Sequence, residues 1–329
     1  MDEITDEKSS VYLAAVTDYG YGYSLAVTEM STGENYIEDV GHKDSTLVQT
    51  ILRSNVREVV LPKDFRTKII QMLREYQVVI SYCDETAIRN EYLPLTEGLI
   101  RDYELQSYGR MLNYLEATQK HMLSHLQQVR IEKEEEILYM DYATQQNLEL
   151  IVPLHDTGKA ATLWTFLDRC KSAMGSRELR RWIEKPLVSR EKIEQRWDRT
   201  QWLMRHFMQR QKLRENLANI YDLQRLIARC AMNTANAVDC QRLTKTLAAA
   251  PEILKAVDAE PFAEFAHTDP LTPLYTRLKD AFVDNPPVQM GDGGLFRDGY
   301  SKELDEARAI QRDGRTFIAS LEAKEQYPE

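Results

Sequence analysis

Residues 163–187 read LWTFLDRCKSAMGSRELRRWIEKPL, and this stretch says most about the fold of the chain. An apolar turn is followed by a break of small residues and then by an amphipathic run with helical spacing. Gly175 allows a turn or the close approach of another segment, and Ser176 is a candidate helix cap. Pro186 ends the second helix, because proline disfavours the helical state of the residue before it. The stretch therefore predicts a helix–break–helix element inside a helical domain.

Three further motifs follow the same order along the chain as in one known family. Residues 140–150 read MDYATQQNLEL, residues 222–229 read DLQRLIAR, and residues 292–306 contain DGG and GYSKELDE. Together with residues 163–187, they closely resemble motifs of the MutS family of DNA mismatch repair proteins. The resemblance implies structural signature residues of a lever domain at Asp141, Asn147, Leu148, Glu149, Gly175, Ser176, Arg177, Trp182, Asp222 and Arg229. It implies the start of a clamp at Gly293, Gly294, Gly299, Tyr300, Glu303 and Leu304.

Length and composition limit the class of protein. A chain of 329 residues with 43% hydrophobic and 29% charged residues is expected to fold into two or three domains. It contains no apolar run of 18 residues, and its acidic N-terminus is unlike a signal peptide, so we expect a cytoplasmic protein without a membrane partner. The four cysteines form no C-x-x-C motif and are expected to be free, mostly buried thiols.

The charge distribution argues against tight DNA binding by this chain alone. The net charge is −10, with 19 acids and 11 bases in residues 1–110, and 33 acids and 31 bases in residues 111–329. Neither part has the concentrated basic surface that is typical of nucleic-acid binders.

The first hundred residues alternate between strand-like and helix-like segments. The patterns predict a three-stranded antiparallel meander and then two helices that alternate with two strands, with helix caps at Asp44 and Asp64. This βββαβαβ order resembles an RNase H-like layout, which is also the connector-domain fold implied by the MutS resemblance. The predicted connector covers residues 11–104, after a disordered tail or linker at 1–10.

From about residue 105 the pattern becomes helical. A long helix is predicted over 105–126, followed by an extended link at 129–139. Further helices are predicted at about 140–148, 161–169, 175–184, 189–206, 208–217, 221–231, 237–247 and 271–284. The proline and glycine residues at 285–294 end this lever domain, which is predicted over 105–290. Residues 291–329 would begin a projecting clamp helix with a narrow apolar stripe. The predicted fold class is therefore α/β plus all-α.

Two sets of side chains could in principle form a catalytic or metal-binding site. An RNase H-like sheet could hold metal ions between strand-end carboxylates, for which Asp18, Asp39 and residues 84–85 are candidates. Glu58 lies at the wrong end of its strand, so solvated surface acids are the favoured interpretation. His121 and His125 have a spacing that can bind zinc on a helix, but no further ligand lies nearby. We expect no catalytic residue, metal ion or cofactor in this chain.

The densest basic cluster could contact DNA phosphates through Arg177, Arg180 and Arg181. The favoured interpretation is that these arginines form ion pairs within the helical bundle, for example with Asp168, Glu178 and Glu184. The four tryptophans are similarly expected to pack between helices rather than to stack on bases.

The resemblance also sets expectations for the whole protein. Family members carry a mismatch-reading domain with a Phe-x-Glu element before the connector, and an ATPase with a phosphate loop after the clamp. Here the predicted connector starts at about Val11, so we expect no mismatch-reading domain before it, and no phosphate-loop sequence occurs. We therefore expect a non-catalytic fragment of a mismatch recognition protein. ATP, magnesium, mismatched duplex DNA and a homodimer would belong to the whole protein. The connector would contact MutL, with a local match near residues 84–89, and the lever would relay motion between ATPase and clamp. The alternatives are a metal-dependent nuclease and an autonomous DNA-binding module.

Overall fold

The computed structural model describes residues 10–118, 123–132, 137–154 and 162–325. Residues 10–132 form a unit built on a sheet (the sheet unit), and residues 137–325 form a helical unit. Within the described residues the sheet has six strands in the order β5-β4-β1-β2-β3-β6. The strands are β1 (Tyr12–Asp18), β2 (Gly22–Glu29), β3 (Asn35–Gly41), β4 (Val56–Leu61), β5 (Val79–Tyr82) and β6 (Arg130–Glu132).

The predicted meander and the parallel strands after it are confirmed. Strands β1, β2 and β3 pair antiparallel, whereas β4 lies parallel to β1, and β5 lies parallel to β4. All eight residues of β2 are buried, because helices cover both faces of the sheet. Helices α1 (Asp44–Arg53) and α2 (Thr67–Glu75) pack on one face, and α3 (Asp102–Thr118) packs on the other.

The position of α3 moves the boundary between the units. Tyr108, Met111, Leu112 and Leu115 of α3 are almost fully buried against the sheet. The apolar face of this helix would be exposed to water without the sheet, so α3 belongs to the sheet unit. The predicted boundary at 104/105 therefore cuts through a continuous core, which extends to Val129.

Two features near the end of the sheet unit differ from the sequence-based expectation. The helix predicted over 105–126 is described only as far as Thr118, and residues 123–129 are not helical. The predicted extended link contains β6, which adds to the sheet edge in parallel with β3. The pattern identified the extended backbone, but not its strand partner, because a three-residue strand leaves no periodic signal.

The helical unit contains nine α-helices within its described residues. They are α4 (Tyr142–Asn147), α5 (Leu163–Leu167), α6 (Ala173–Glu184), α7 (Arg190–Arg205), α8 (Phe207–Leu217), α9 (Leu223–Ala231), α10 (Ala237–Ala256), α11 (Thr272–Ala281) and α12 (Lys302–Glu325). Short 3-10 helices cover Asn90–Thr96 in the sheet unit and Glu260–Phe265 and Met290–Asp292 in the helical unit. Helix α10 runs nine residues beyond its predicted end and includes Pro251. Among the described residues, none of these helices has the length and apolar character needed to cross a membrane.

Two predicted helix caps are wrong, and one is displaced. Helix α2 begins at Thr67, so Asp64 does not cap it. Helix α6 begins at Ala173 and is capped by Ser172, whose hydroxyl accepts the backbone N–H of Gly175 at 3.2 Å. The predicted cap Ser176 therefore lies inside the helix. Asp44 lies in the first turn of α1 rather than at its cap position. Serine and aspartate favour helix starts, but their type alone does not fix the register of the first turn.

Candidate functional site at the junction of the two units

The break between α5 and α6 is closed by a buried serine. Ser176 is fully buried, and its hydroxyl donates to a carboxylate oxygen of Asp168 at 2.7 Å. The other Asp168 oxygen accepts the backbone N–H of Cys170 at 3.1 Å. Gly175 lies in the first turn of α6, where a Cβ atom would lie 3.3 Å from the Ser172 hydroxyl and 3.5 Å from the Cβ atom of Cys170, so the neighbouring side chains leave limited room. These contacts fix where α6 begins and how it leaves the turn.

Helix α6 is tied to α9 and then to the sheet unit by a chain of polar contacts. The Arg177 guanidinium donates to both carboxylate oxygens of Asp222, at 2.5 and 2.9 Å, and to the side-chain oxygen of Gln224 at 2.9 Å. The amide nitrogen of Gln224 in turn donates to Glu34 in the turn between β2 and β3, at 2.7 Å. We call the contacts of Arg177, Asp222, Gln224 and Glu34 the polar bridge. The side chains of Arg177 and Asp222 are each only 11% exposed, so this ion pair is largely shielded from water.

Two further contacts support the same junction. Arg225 of α9 donates to the Ser31 hydroxyl in the β2–β3 turn at 3.0 Å. Ser124 donates to the backbone carbonyl of Ala231, at the end of α9, at 2.6 Å. Helix α9 therefore meets the sheet unit along its length and not only at its first turn.

A second junction lies at the end of α6. Lys185 forms an ion pair with Glu132 of β6 at 2.5 Å, and its ammonium lies 4.4 Å from the ring centroid of Tyr36. Burial disfavours the charged form of Lys185, but Tyr36 and Glu132 outweigh it, so the pKa of the lysine is raised. Burial also raises the pKa of the neighbouring Glu184 carboxyl. The end of α6 is thus held against the sheet edge by the ammonium group of Lys185, which stays protonated and charged at neutral pH.

The arginines considered for DNA contacts are engaged in intramolecular ion pairs. Arg180 pairs with Glu184 at 2.9 Å and Arg181 with Glu178 at 2.7 Å, while Arg177 belongs to the polar bridge. Contact of these three arginines with DNA phosphates therefore stays a prediction, and each would have to leave a present partner to make it.

The predicted signature residues at 140–150 form a cap and a turn. Asp141 caps α4 by accepting the Thr144 N–H at 2.6 Å, and hydrogen bonds from the side chain and the backbone of Thr144 lower the pKa of its carboxyl. Asn147 ends α4, Leu148 is 59% exposed, and Glu149 has a φ of 48°. The backbone carbonyl of Glu149 accepts the Leu163 N–H at 3.1 Å, so this turn positions the start of α5.

The two remaining lever signature residues are Arg229, which links α9 to α10, and Trp182. Arg229 pairs at 2.8 Å with Asp239, whose side chain is 2% exposed. Asp239 is also part of the capping box that starts α10. Trp182 is 39% exposed and lies beneath the guanidinium of Arg196, 3.5 Å from its ring centroid.

The residues predicted at the start of the clamp form a compact corner before α12. Gly293, Gly294 and Gly299 have φ values of 69°, 69° and 87°, which favour glycine. The Gly299 N–H donates to Asp305 at 2.9 Å, and the Leu304 N–H donates to the Ser301 hydroxyl at 3.3 Å. Other members of the corner are Glu303, in the first turn of α12, and Tyr300, whose ring stacks on Phe296 at 5.6 Å. This corner sets the direction in which α12 departs.

The candidate nuclease carboxylates do not gather into a metal site. Each accepts a hydrogen bond or an ion pair from a neighbour: Asp18 from Arg66 at 2.9 Å, Asp39 from Arg101 at 2.9 Å, Asp84 from Lys63 at 3.3 Å and Glu58 from Ser81 at 2.5 Å. No group of three or more His, Cys, Asp or Glu residues that could hold a metal ion occurs in the described ranges. Those ranges therefore contain no observation that favours the nuclease alternative.

The candidate histidines, cysteines and tryptophans differ in how far they are exposed. His121 lies outside the described residues, and His125 lies in a non-helical turn. The four cysteines were expected to be mostly buried, but Cys170 and Cys230 are exposed, and Cys83 and Cys240 are half-buried. Trp164 and Trp202 contact neighbouring side chains, whereas Trp197 is 67% exposed, so the packing interpretation is wrong for this residue.

Sequence reasoning missed the sheet-unit half of the junction. Ser31, Glu34, Tyr36 and Glu132 carry no motif, and Lys185 resembles any surface lysine in the sequence. The sequence does show that the β2–β3 turn is polar and that α9 is charged. It does not show that these two elements contact each other, so the junction could not be found from it.

The comparisons with known proteins agree with this architecture. The family described as MutS domain II matches residues 11–127, and the family described as MutS domain III matches residues 143–326. Similar relatives include the DNA mismatch repair protein MutS of Geobacillus sp. (strain WCH70), which is 35% identical over 97% of this chain. That of Shouchella clausii (strain KSM-K16) is 35% identical, and that of Bacillus cytotoxicus is 34% identical, each again over 97% of this chain.

These matches cover both units of the structure and all four motifs. The chain spans 36–38% of the length of the three relatives. Because the MutS domain III match alone covers more than half of the residues, the chain belongs to the MutS family of DNA mismatch repair proteins.

Proposed function

We propose that this chain forms the connector and lever parts of a DNA mismatch recognition protein, with a mechanical rather than a catalytic role. The sheet unit would be the connector, the helical unit to about residue 290 the lever, and α12 the start of the clamp. The strand order β3-β2-β1-β4-β5, antiparallel through the meander and parallel afterwards, supports an RNase H-like connector.

The polar bridge is the observation that carries this proposal. It starts on the signature helix α6, passes through the cap of α9 and ends in the β2–β3 turn of the sheet unit. Packed helices move as rigid bodies between discrete arrangements, so a displacement of α6 would be passed to the sheet through these bonds. A relay of motion requires such a connection.

The partners proposed for the whole protein follow from the family. Mismatched duplex DNA would be its ligand, ATP with Mg²⁺ its cofactor, and a cytoplasmic homodimer its working form. MutL would contact the connector. The segment near residues 84–89 offers a surface on which Asp84 is half-exposed and anchored to Lys63.

Binding of the purified chain to DNA and to MutL tests the proposal. The chain is titrated against mismatched and matched duplexes at two salt concentrations, with immobilised MutL in a parallel series. We expect a MutL complex and no salt-sensitive binding of either duplex, because the arginines of α6 are already paired. Salt-sensitive DNA binding without MutL binding, or Mg²⁺-dependent cleavage lost in Asp18→Asn, would contradict it.

A further inference from the structure

A large cleft separates the sheet edge from the helical unit. Its volume is about 660 Å³, which lies within the range of small-molecule binding sites. One wall is formed by the sheet edge, including Tyr36 and Arg130, and the other by α6 and α7, including Trp182 and Arg196. The cleft is mixed in character, with polar and aromatic side chains on both sides.

The described residues on the walls of the cleft carry a surplus of positive charge. Among them, seven cationic and five acidic side chains line the cleft, which is a formal surplus of two positive charges. All five carboxylates already accept hydrogen bonds: Glu34 from Gln224, Glu132 from Lys185, Glu178 from Arg181, Glu184 from Arg180 and Glu264 from Arg199. The carboxylates that line the cleft therefore already bind cationic or amide side chains of the protein.

Two arginines on opposite walls of the cleft are the candidates for binding an anion. Neither Arg130 on the sheet wall nor Arg196 on the helical wall has an ion pair with any described residue. The guanidinium carbon of Arg196 lies over the ring of Trp182, 3.5 Å from its centroid, and this cation–π contact helps to hold the guanidinium in place. Burial lowers the pKa of Arg196; the carboxylate of Glu178 opposes this effect, and the nearby Arg181 and Arg199 add to it.

We propose that this cleft binds a small anion carrying two or more phosphate groups, such as pyrophosphate or a nucleoside diphosphate. Arg196 would hold one phosphate and Arg130 another, because the planar guanidinium matches phosphate oxygens in a bidentate geometry. The two arginines belong to different units, so the bound anion would join the sheet edge to α7. The site requires only the cleft and does not depend on the proposed relay function.

Titration calorimetry of the purified chain tests this site directly. The probes are inorganic pyrophosphate, ADP, adenosine and inorganic monophosphate, and each is repeated at a second salt concentration. We expect saturable 1:1 binding of pyrophosphate and ADP, weaker binding of monophosphate and none of adenosine. Tighter binding of ADP than of pyrophosphate would identify a nucleotide, and equal binding would identify the phosphates as the part recognised.

Single substitutions locate the site. Arg196→Gln and Arg130→Gln should each weaken pyrophosphate binding by about tenfold or more, the factor expected for losing one charge-assisted interaction. Arg190→Gln is the matched control, since Arg190 lies on the same helix, is 88% exposed and does not line the cleft. Circular dichroism checks that each variant is folded. The absence of saturable binding to the unsubstituted chain, or equal weakening by all three variants, would overturn the proposal.

Discussion

Asp222→Asn isolates the charge at the centre of the polar bridge. Asparagine keeps the size of the side chain and an oxygen for the Arg225 N–H, so the cap of α9 is preserved. The substitution removes the negative charge that faces Arg177 and one of its two acceptor oxygens. The guanidinium of Arg177, with 11% of its side chain exposed, is then left beside a neutral amide.

The expected loss of stability follows from this burial. Removal of one partner from a buried ion pair costs about 3–5 kcal/mol, because the remaining charge is uncompensated. Gln224 and the retained Asn oxygen still accept from Arg177, which reduces the penalty. We therefore expect the free energy of unfolding to fall by about 2–3 kcal/mol, several times the ~0.5 kcal/mol expected for an exposed ion pair on one helix.

Urea denaturation followed by tryptophan fluorescence and circular dichroism measures this loss. Glu194→Gln is the matched control, since it makes the same acid-to-amide change in an exposed ion pair with Arg190. We expect this control to lower the free energy of unfolding by no more than ~0.5 kcal/mol. A loss below ~0.5 kcal/mol in Asp222→Asn would refute the view that the Arg177–Asp222 pair holds α6 and α9 together.

Three further predictions use the same denaturation assay or hydrogen exchange. Gly109→Ala should lower the free energy of unfolding by about 1–3 kcal/mol, since its Cβ would lie 2.0 Å from the backbone oxygen of Thr86, whereas Gly314→Ala, in open space, should be neutral or stabilising. Equal effects would contradict the close packing of α3. Ser176→Ala should cost about 1 kcal/mol, because its carboxylate partner loses a hydrogen bond, and an unchanged unfolding midpoint would contradict that contact. Because the pKa of Asp141 is lowered in the folded state, its ionised carboxylate stabilises α4 at pH values above the ordinary pKa of 3.8. This contribution is lost as the pH falls through the lower pKa of the folded state. The protection of residues 142–147, taken relative to the intrinsic exchange rate at each pH, should therefore fall in acid, and Asp141→Asn should remove that dependence.

The strands and most helices could be predicted because their apolar periodicity reflects burial. The meander and the order of the later strands and helices follow from that pattern, and Pro186 lies just past the end of α6, as expected. The assignment of α3 could not be predicted in the same way. An amphipathic helix shows which face is buried, but not whether a sheet or other helices cover it.

The junction shows the same limit more clearly. The motifs identified Arg177 and Asp222, but no pattern within either segment showed that their side chains would pair across 45 positions. Glu34 and Lys185 were missed because their roles depend on neighbours from the other unit. The charge composition was more informative about ion pairing. Residues 111–329 carry nearly equal numbers of acidic and basic side chains, as expected for a region in which most charges are paired.

The central claim is that α6 and the sheet unit are mechanically joined through the polar bridge. Gln224→Met tests it most directly, because it removes the amide that links α9 to Glu34 and keeps the Arg177–Asp222 pair. Hydrogen exchange is measured in the β2–β3 turn, at residues 30–35, with Glu194→Gln as the control. The account predicts faster exchange in the turn of Gln224→Met while the centre of the sheet is unchanged. Identical exchange in the turn of the variant and the unsubstituted chain would contradict it.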